Sequence, residues 1–292
     1  MSYRTILVSV GQRENAESAI EAAFHIARRF CSHVHGLHVL PDLATPATHT
    51  LIATRMTTEE ASSDLQKFRA PAERAVKRQA AELRRLFEEA AVRAGAVLQD
   101  APGTSDQPSA SWEELAGFES EVVGGLGRIF DLTVIARRGP RGSSHDTVQA
   151  ALFETGRPLL LAPPIGPASV GNAVLLAWNA SPQAARAVTS ALPVLQRAGR
   201  VIIMSVGNGP APKPDAHDLA RSLAWHGVAA EVRVIEQGSR RVRDVLLVEA
   251  EAMGADLLVI GAYSHSRMRQ VAFGGVTEHV LDHAELAALL TH

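Results

Sequence analysis

The sequence predicts an α/β protein made of two doubly wound parallel-sheet domains in tandem, and three observations carry that prediction. Short apolar, β-branched runs alternate with stretches of helical periodicity, the pattern of a parallel sheet covered on both faces. The segment Asp131-Leu132-Thr133-Val134-Ile135-Ala136 returns almost residue for residue as Asp256-Leu257-Leu258-Val259-Ile260-Gly261, each time after a helical stretch. Thr5-Ile6-Leu7-Val8-Ser9-Val10 likewise matches Ala173-Val174-Leu175-Leu176-Ala177-Trp178. Self-similarity at two places marks an internal repeat.

In the first unit, residues 5–10 read as a strand, and 15–30 read as a helix because Ala16, Ile20, Ala23 and Ala27 recur at helical spacing. Residues 33–40 make a second strand, 41–58 a loop, and 59–94, rich in alanine and charge, one or two helices. A helix is expected over 112–130, feeding the strand 131–136, and after residues 147–154 a strand over 158–162 closes the unit. Three prolines and two glycines in 163–171 mark a linker, because both residues stop regular structure, and the domains are set at 1–164 and 172–292.

The pattern then restarts with strand 173–178, helix 182–197, strand 201–206, helix 215–226, strand 230–235, helix 241–253, strand 256–261 and helical residues 278–281. The two repeated strand pairs are offset by 168 and 125 positions, so the first unit carries 43 more residues between its strands, mostly in 41–94. Right-handed crossovers fix a doubly wound sheet, whose ligands sit beyond the carboxyl ends of the strands at the topological switch point.

Length and composition agree. The chain has 292 residues, more than one typical domain of roughly 100–200. A hydrophobic fraction of 46%, a charged fraction of 21% and a formal net charge of −2 describe an ordinary soluble protein without a dedicated nucleic-acid surface. The start of the sequence has no signal-peptide pattern, and the apolar runs fall far short of the roughly 20 residues of a membrane span. A single cysteine, Cys31, forms no internal disulfide and fits a reducing cytoplasm. A cytoplasmic location is therefore expected, with neither nucleic acid nor membrane as partner.

The strand end richest in ligand-binding chemistry follows Ile260. It runs Gly261-Ala262-Tyr263-Ser264-His265-Ser266-Arg267-Met268-Arg269-Gln270-Val271-Ala272-Phe273-Gly274-Gly275-Val276-Thr277. Glycine lets backbone approach a ligand, and free N–H groups at the helix start after Gly274 suit phosphate oxygens. Arg267 and Arg269 add charge, His265 a ring nitrogen and Thr277 a hydroxyl. A structural reading stands beside this one: Gly261 ends a strand, Gly274 and Gly275 begin a helix, and the arginines are solvated.

The spacing of Gly261, position 264 and Gly274-Gly275-Val276 resembles the nucleotide loop of the universal stress protein family, whose pattern is Gly, two residues, Gly, nine residues, Gly, then Ser or Thr. Here Ser264 stands for the second glycine and Gly275 for the hydroxyl residue. The resemblance covers nearly the whole chain as a tandem pair. It implies the family's adenine nucleotide alpha hydrolase-like fold and a stress-response role. It also implies an adenine nucleotide, ATP or AMP, with Mg if a triphosphate, in the C-terminal unit. By the same resemblance Gly261, Ser264, Arg267, Gly274, Gly275, Val276 and Thr277 would face ribose and phosphates, while Ala177, Asn179 and the Ser205-Val206 strand end would lie near the base. Asn179 stands where the family has an aspartate, and an amide both donates and accepts hydrogen bonds. Trp178 either packs in the core or abuts the base, the core being favoured.

The first unit departs further, with Gly11 at the aspartate position and a loop, 137–144, lacking the later Gly-Ser/Thr pair; it is read as degenerate and structural. The resemblance implies action through an unknown protein partner and no catalysis. Two alternatives remain: a ligand-free interaction scaffold whose long first-unit helices engage proteins, and slow nucleotide hydrolysis, which needs a base from residues 215–218 or Glu278. Two similar units can pack about a pseudo-twofold axis as an intramolecular dimer, with further homodimerisation left open.

Other constellations carry less. Ser144, His145 and Asp146 are adjacent in sequence, whereas the members of a hydrolase triad converge from different elements. Neither a Gly-x-Ser-x-Gly elbow nor a P-loop occurs. His33 and His35 share one strand face with His38 nearby, and a structural role is favoured over metal ligation because no zinc-type spacing surrounds them. Cys31 reads as an inert thiol, and the mixed charges of 59–94 as a solvated helix face.

Overall fold

The computed structural model describes residues 2–11, 13–41, 58–103, 106–137, 143–208, 213–263 and 275–292, with backbone alone at 14, 58–70 and 72. The expected loop 41–58 lies outside these residues from 42 to 57. The first unit comprises β1 (Thr5–Ser9), α1 (Arg13–Phe30), β2 (His33–Leu40), α2 (Thr58–Arg93), β3 (Val97–Leu98), β4 (Ser109–Ala116), α3 (Glu119–Leu126), β5 (Leu132–Ala136), α4 (His145–Phe153) and β6 (Leu159–Ala162). The second comprises β7 (Ala173–Ala177), α5 (Pro182–Leu195), β8 (Arg200–Gly207), α6 (Ala216–Ala224), β9 (Glu231–Glu236), α7 (Val242–Ala252), β10 (Leu257–Gly261), α8 (Gly275–His283) and β11 (Ala287–Thr291).

All eleven strands form one sheet in the order β3-β4-β2-β1-β5-β6-β11-β10-β7-β8-β9. With the two-residue edge strand β3 set aside, each unit has the same doubly wound order, 3-2-1-4-5 counted along its own chain, and its strands pair in parallel. Among the described residues the one antiparallel pair is β6 with β11, where Leu159, Leu160 and Leu161 face Leu290, Leu289 and Ala288. The two units thus meet strand to strand, in the relation a twofold axis imposes. Strand alternation sends Ile6, Val8, Leu257 and Val259 to one face and Leu7, Ile135, Leu258 and Ile260 to the other. Helices α1, α2, α5 and α6 cover the first face and α3, α4, α7 and α8 the second, so each core runs across the junction.

The repeated aspartates explain the strongest sequence echo. The Asp131 carboxylate accepts from the N–H groups of Arg4 and Thr5 at 2.8 and 3.0 Å, and that of Asp256 accepts from Gly171, Asn172 and Ala173, each at 3.0 Å. Each carboxylate therefore satisfies orphan donors where the central strand of its unit begins. The stretch between β6 and β7 is strapped to α1: His25 Nε2 lies 2.9 Å from Pro167 O, and Arg29 Nη1 donates to Val170 O at 3.2 Å. The Tyr3 hydroxyl reaches Ser190 O on α5, and burial pushes this phenol's pKa well above its ordinary value.

Two features correct the sequence reading. Residues 112–116, expected to be helical, belong to β4, which pairs with β2 from His33↔Ser109 to Leu40↔Ala116. Tertiary packing overrides the helical propensity of Glu113, Glu114, Leu115 and Ala116. Trp112 packs beside Phe87 of α2 with ring centroids 5.3 Å apart, over Gly36, where a Cβ would stand 2.6 Å from the indole. The expectation of one or two helices over 59–94 is met by one, α2, which ends at Arg93 and has Pro71 inside it. Strands β3 and β11 were not expected at all.

Candidate ligand site at the carboxyl edge of the second unit

Adjacent strands β7 and β10 lead into helices on opposite faces, α5 and α8, which makes their carboxyl ends the switch point of the second unit. A cavity of about 290 Å³ opens there. Its walls are Ala177, Trp178 and Asn179 after β7, Met204 and Val206 of β8, Val242 and Leu246 of α7, Ile260 and Gly261 of β10, and Gly275, Val276 and Thr277 of α8. Most of this lining is apolar, and the first turn of α8 adds backbone N–H groups that have no partner within the helix.

Of the residues expected from sequence, Ala177, Asn179, Val206, Gly261, Gly275, Val276 and Thr277 come together in this wall. Ser205 does not; its hydroxyl donates to Trp178 O at 2.9 Å. Ser264, Arg267 and Gly274, with His265 and Arg269, lie outside the described residues. Asn179 is exposed, and its Oδ1 accepts from Ser181 N–H at 3.1 Å, shaping the turn before α5. Thr277 is 3% exposed, and its hydroxyl oxygen accepts from Tyr263 N–H at 3.1 Å. Tyr263 adopts a positive φ of 57° and its hydroxyl donates to Glu278 Oε1 at 2.8 Å, which ties the strand exit to α8. Trp178, only 7% exposed, belongs to the core and donates from Nε1 to Pro214 O at 2.8 Å, while one edge reaches the cavity.

Arg243 was missed. It stands in the first turn of α7, and a Cβ on Gly275 would lie 3.7 Å from its Nη1. Among the described residues its buried Nε has no hydrogen-bond partner, and the Asp244 carboxylate is 3.6 Å from it. The signal lay in the order 3-2-1-4-5 itself, which brings the start of the helix after the third strand to the same edge as the loop after the fourth.

The carboxylates considered for hydrolysis are engaged. Asp215 and Asp218 cap α6 reciprocally, each accepting the other's N–H at 2.9 Å, and both meet Lys213. The Lys213 ammonium, with the Asp218 N–H, lowers the pKa of Asp215 to about 2. Glu278 receives the Tyr263 hydroxyl.

In the first unit the loop residues 138–142 lie outside the described residues. Ser144 caps α4 by accepting from Thr147 N–H at 3.1 Å. His145 Nε2 lies 2.8 Å from Gln149 Nε2, so Ser144, His145 and Asp146 do not line up as a relay. His33 meets Ser109 and Ser111 at 2.9 Å each, and His35 meets Ser111 and Glu113 at 2.8 and 3.0 Å, a polar ladder between β2 and β4. Among the described residues no group of three or more His, Cys, Asp or Glu could hold a metal ion, and no helix is long and apolar enough to cross a membrane. Cys31, half-buried at a positive φ of 51°, donates to Asp106 O at 2.8 Å.

The architecture is shared with solved structures. A universal stress protein from Archaeoglobus fulgidus aligns with a TM-score of 0.65 at 15% identity, over 98% of this chain and 97% of that one. A putative universal stress protein from Pseudomonas aeruginosa aligns at 0.58 and 17%, over 99% of this chain and 93% of the other. At these identities the likeness is one of fold. No curated protein matches the chain. The model of the universal stress protein family matches residues 2–101 and 172–292, and the chain belongs to that family.

Proposed function

We propose that this stress-response protein binds an adenine nucleotide, ATP or AMP, in the second of two domains, 1–164 and 172–292, and acts in the cytoplasm on a protein partner rather than as a catalyst. The observation that carries the reading is the switch-point cavity. Ala177, Met204, Val206, Leu246 and Ile260 give it apolar walls suited to a flat base, and the α8 amino terminus with Arg243 gives it a positive end suited to phosphate. Its volume of about 290 Å³ stands at the small end of ligand sites, about 300–1,000 Å³. Mg²⁺ would accompany a triphosphate through its phosphate oxygens. Equilibrium titration with ATP and AMP, with and without Mg²⁺, tests the reading; absence of saturable binding at millimolar nucleotide overturns it in favour of a ligand-free scaffold. Mass spectrometry of small molecules released on denaturation gives an independent check. Phosphate release from ATP by the purified protein would overturn the non-catalytic part.

A further inference from the structure

The two units each have a switch point, and the chain fills them differently. In the second, the first residue of α7 is Val242, and the cavity beside it is open. In the first, the corresponding helix is α3, and its first residue is Glu119. Its side chain reaches across from α3 to the end of β1 and the first turn of α4. Oε1 accepts from the Ser9 hydroxyl at the end of β1 at 2.6 Å, and Oε2 accepts from the Thr147 hydroxyl on α4 at 3.3 Å. Gly11 lies beside it: a Cβ there would stand in ordinary contact, 3.5 Å from Oε1.

The repeat shows what this position is. Ser9 and Gly11 match Ala177 and Asn179 in the strand echo, and Thr147 is the third residue of α4 as Thr277 is of α8. Glu119 therefore bridges two places, Ser9 and Thr147, and lies beside a third, Gly11, whose counterparts Ala177, Thr277 and Asn179 line the second cavity. Ser9 is 3% exposed and Thr147 is fully buried, so the carboxylate is received by donors shielded from water, where a charge-assisted hydrogen bond is strong.

We propose that the first switch point is an anion site closed by the chain's own carboxylate, and that removing Glu119 opens it to a phosphorylated ligand. A carboxylate and a phosphate cannot share such a space, because juxtaposed like charges repel. The choice of a nucleotide as probe rests on the function proposed above.

The full-length wild type and Glu119→Ala are titrated with ATP by equilibrium dialysis, with circular dichroism to verify the fold. The expected result is one more ATP per chain in the variant than in the wild type. The second-unit reading is judged on the wild type alone and this inference on the difference, so each fails separately. A folded Glu119→Ala with no added site overturns the inference. Should that variant not fold, Glu119→Ser, which leaves a hydroxyl near Ser9, is measured against the same criterion. The converse variant, Val242→Glu, is expected to weaken ATP binding in the second unit by about tenfold or more; unchanged affinity counts against the inference.

Discussion

Gly261 lies against the first turn of α5 so closely that a Cβ on it would stand 2.8 Å from Ala184 Cα, with the backbone of Gln183 and Ala184 closer still. The glycine that opens the candidate loop is thus demanded by helix-on-strand packing alone. Gly261→Ala is expected to lower stability by about 1–3 kcal/mol, the usual cost of overpacking. Urea unfolding with and without ATP measures this. A variant of wild-type stability that has lost only nucleotide affinity would assign the glycine to the ligand instead.

Asp256 offers a second stability test. Its carboxylate gathers three backbone N–H groups and the Ser169 hydroxyl at the start of β7. Asp256→Ala leaves those donors unmet, and the expected loss is at least about 1.5–3 kcal/mol, the range for one hydrogen bond to a charged group. A thermal midpoint equal to the wild type would show that water replaces the carboxylate without cost.

Arg243→Gln separates phosphate recognition from base recognition. Removing the guanidinium near Gly275 should weaken ATP about tenfold or more, while adenosine, which lacks phosphate, changes little. Equal loss for both ligands would make Arg243 a support of the fold rather than a phosphate contact.

The histidine ladder predicts a pH dependence. Burial, reinforced by neighbouring His35, lowers the pKa of His33 below its ordinary 6.5. As pH falls below that value, the unfolded chain takes up a proton that the folded one resists. Stability present above 6.5 is then lost until the folded value is passed. His25 and His279, also shifted down chiefly by burial, act in the same direction. Chemical denaturation between about pH 7.5 and 5.5 should show a decline that His33→Gln makes shallower. An unchanged slope would remove His33 from the account.

The architecture was legible because its signals are local. The echoed strands and the helical periods between them can be read without knowing what touches what, and Gly261, Gly275, Val276 and Thr277, singled out by the resemblance of one loop, stand together in the cavity wall. The rest depends on distant partners. β4 was hidden because Glu113, Glu114, Leu115 and Ala116 favour helix, and only the room above Gly36 and the pairing with β2 hold them extended. β11 escaped because Ala287 to Leu290 has no strand-like alternation; it is buried by β10 on one side and β6 on the other. Glu119 meets Ser9 across 110 positions, a separation no motif spans.

The antiparallel pair of β6 and β11 has a consequence for any attempt to divide this protein. Cutting the chain between the halves would bare the backbone donors and acceptors of β6 on one fragment and of β11 on the other, each along a flat, leucine-rich margin. Open margins of that kind recruit whatever strand they meet. Co-expressed halves should therefore reassemble with each other, and a half made alone should pair with its own copy or precipitate.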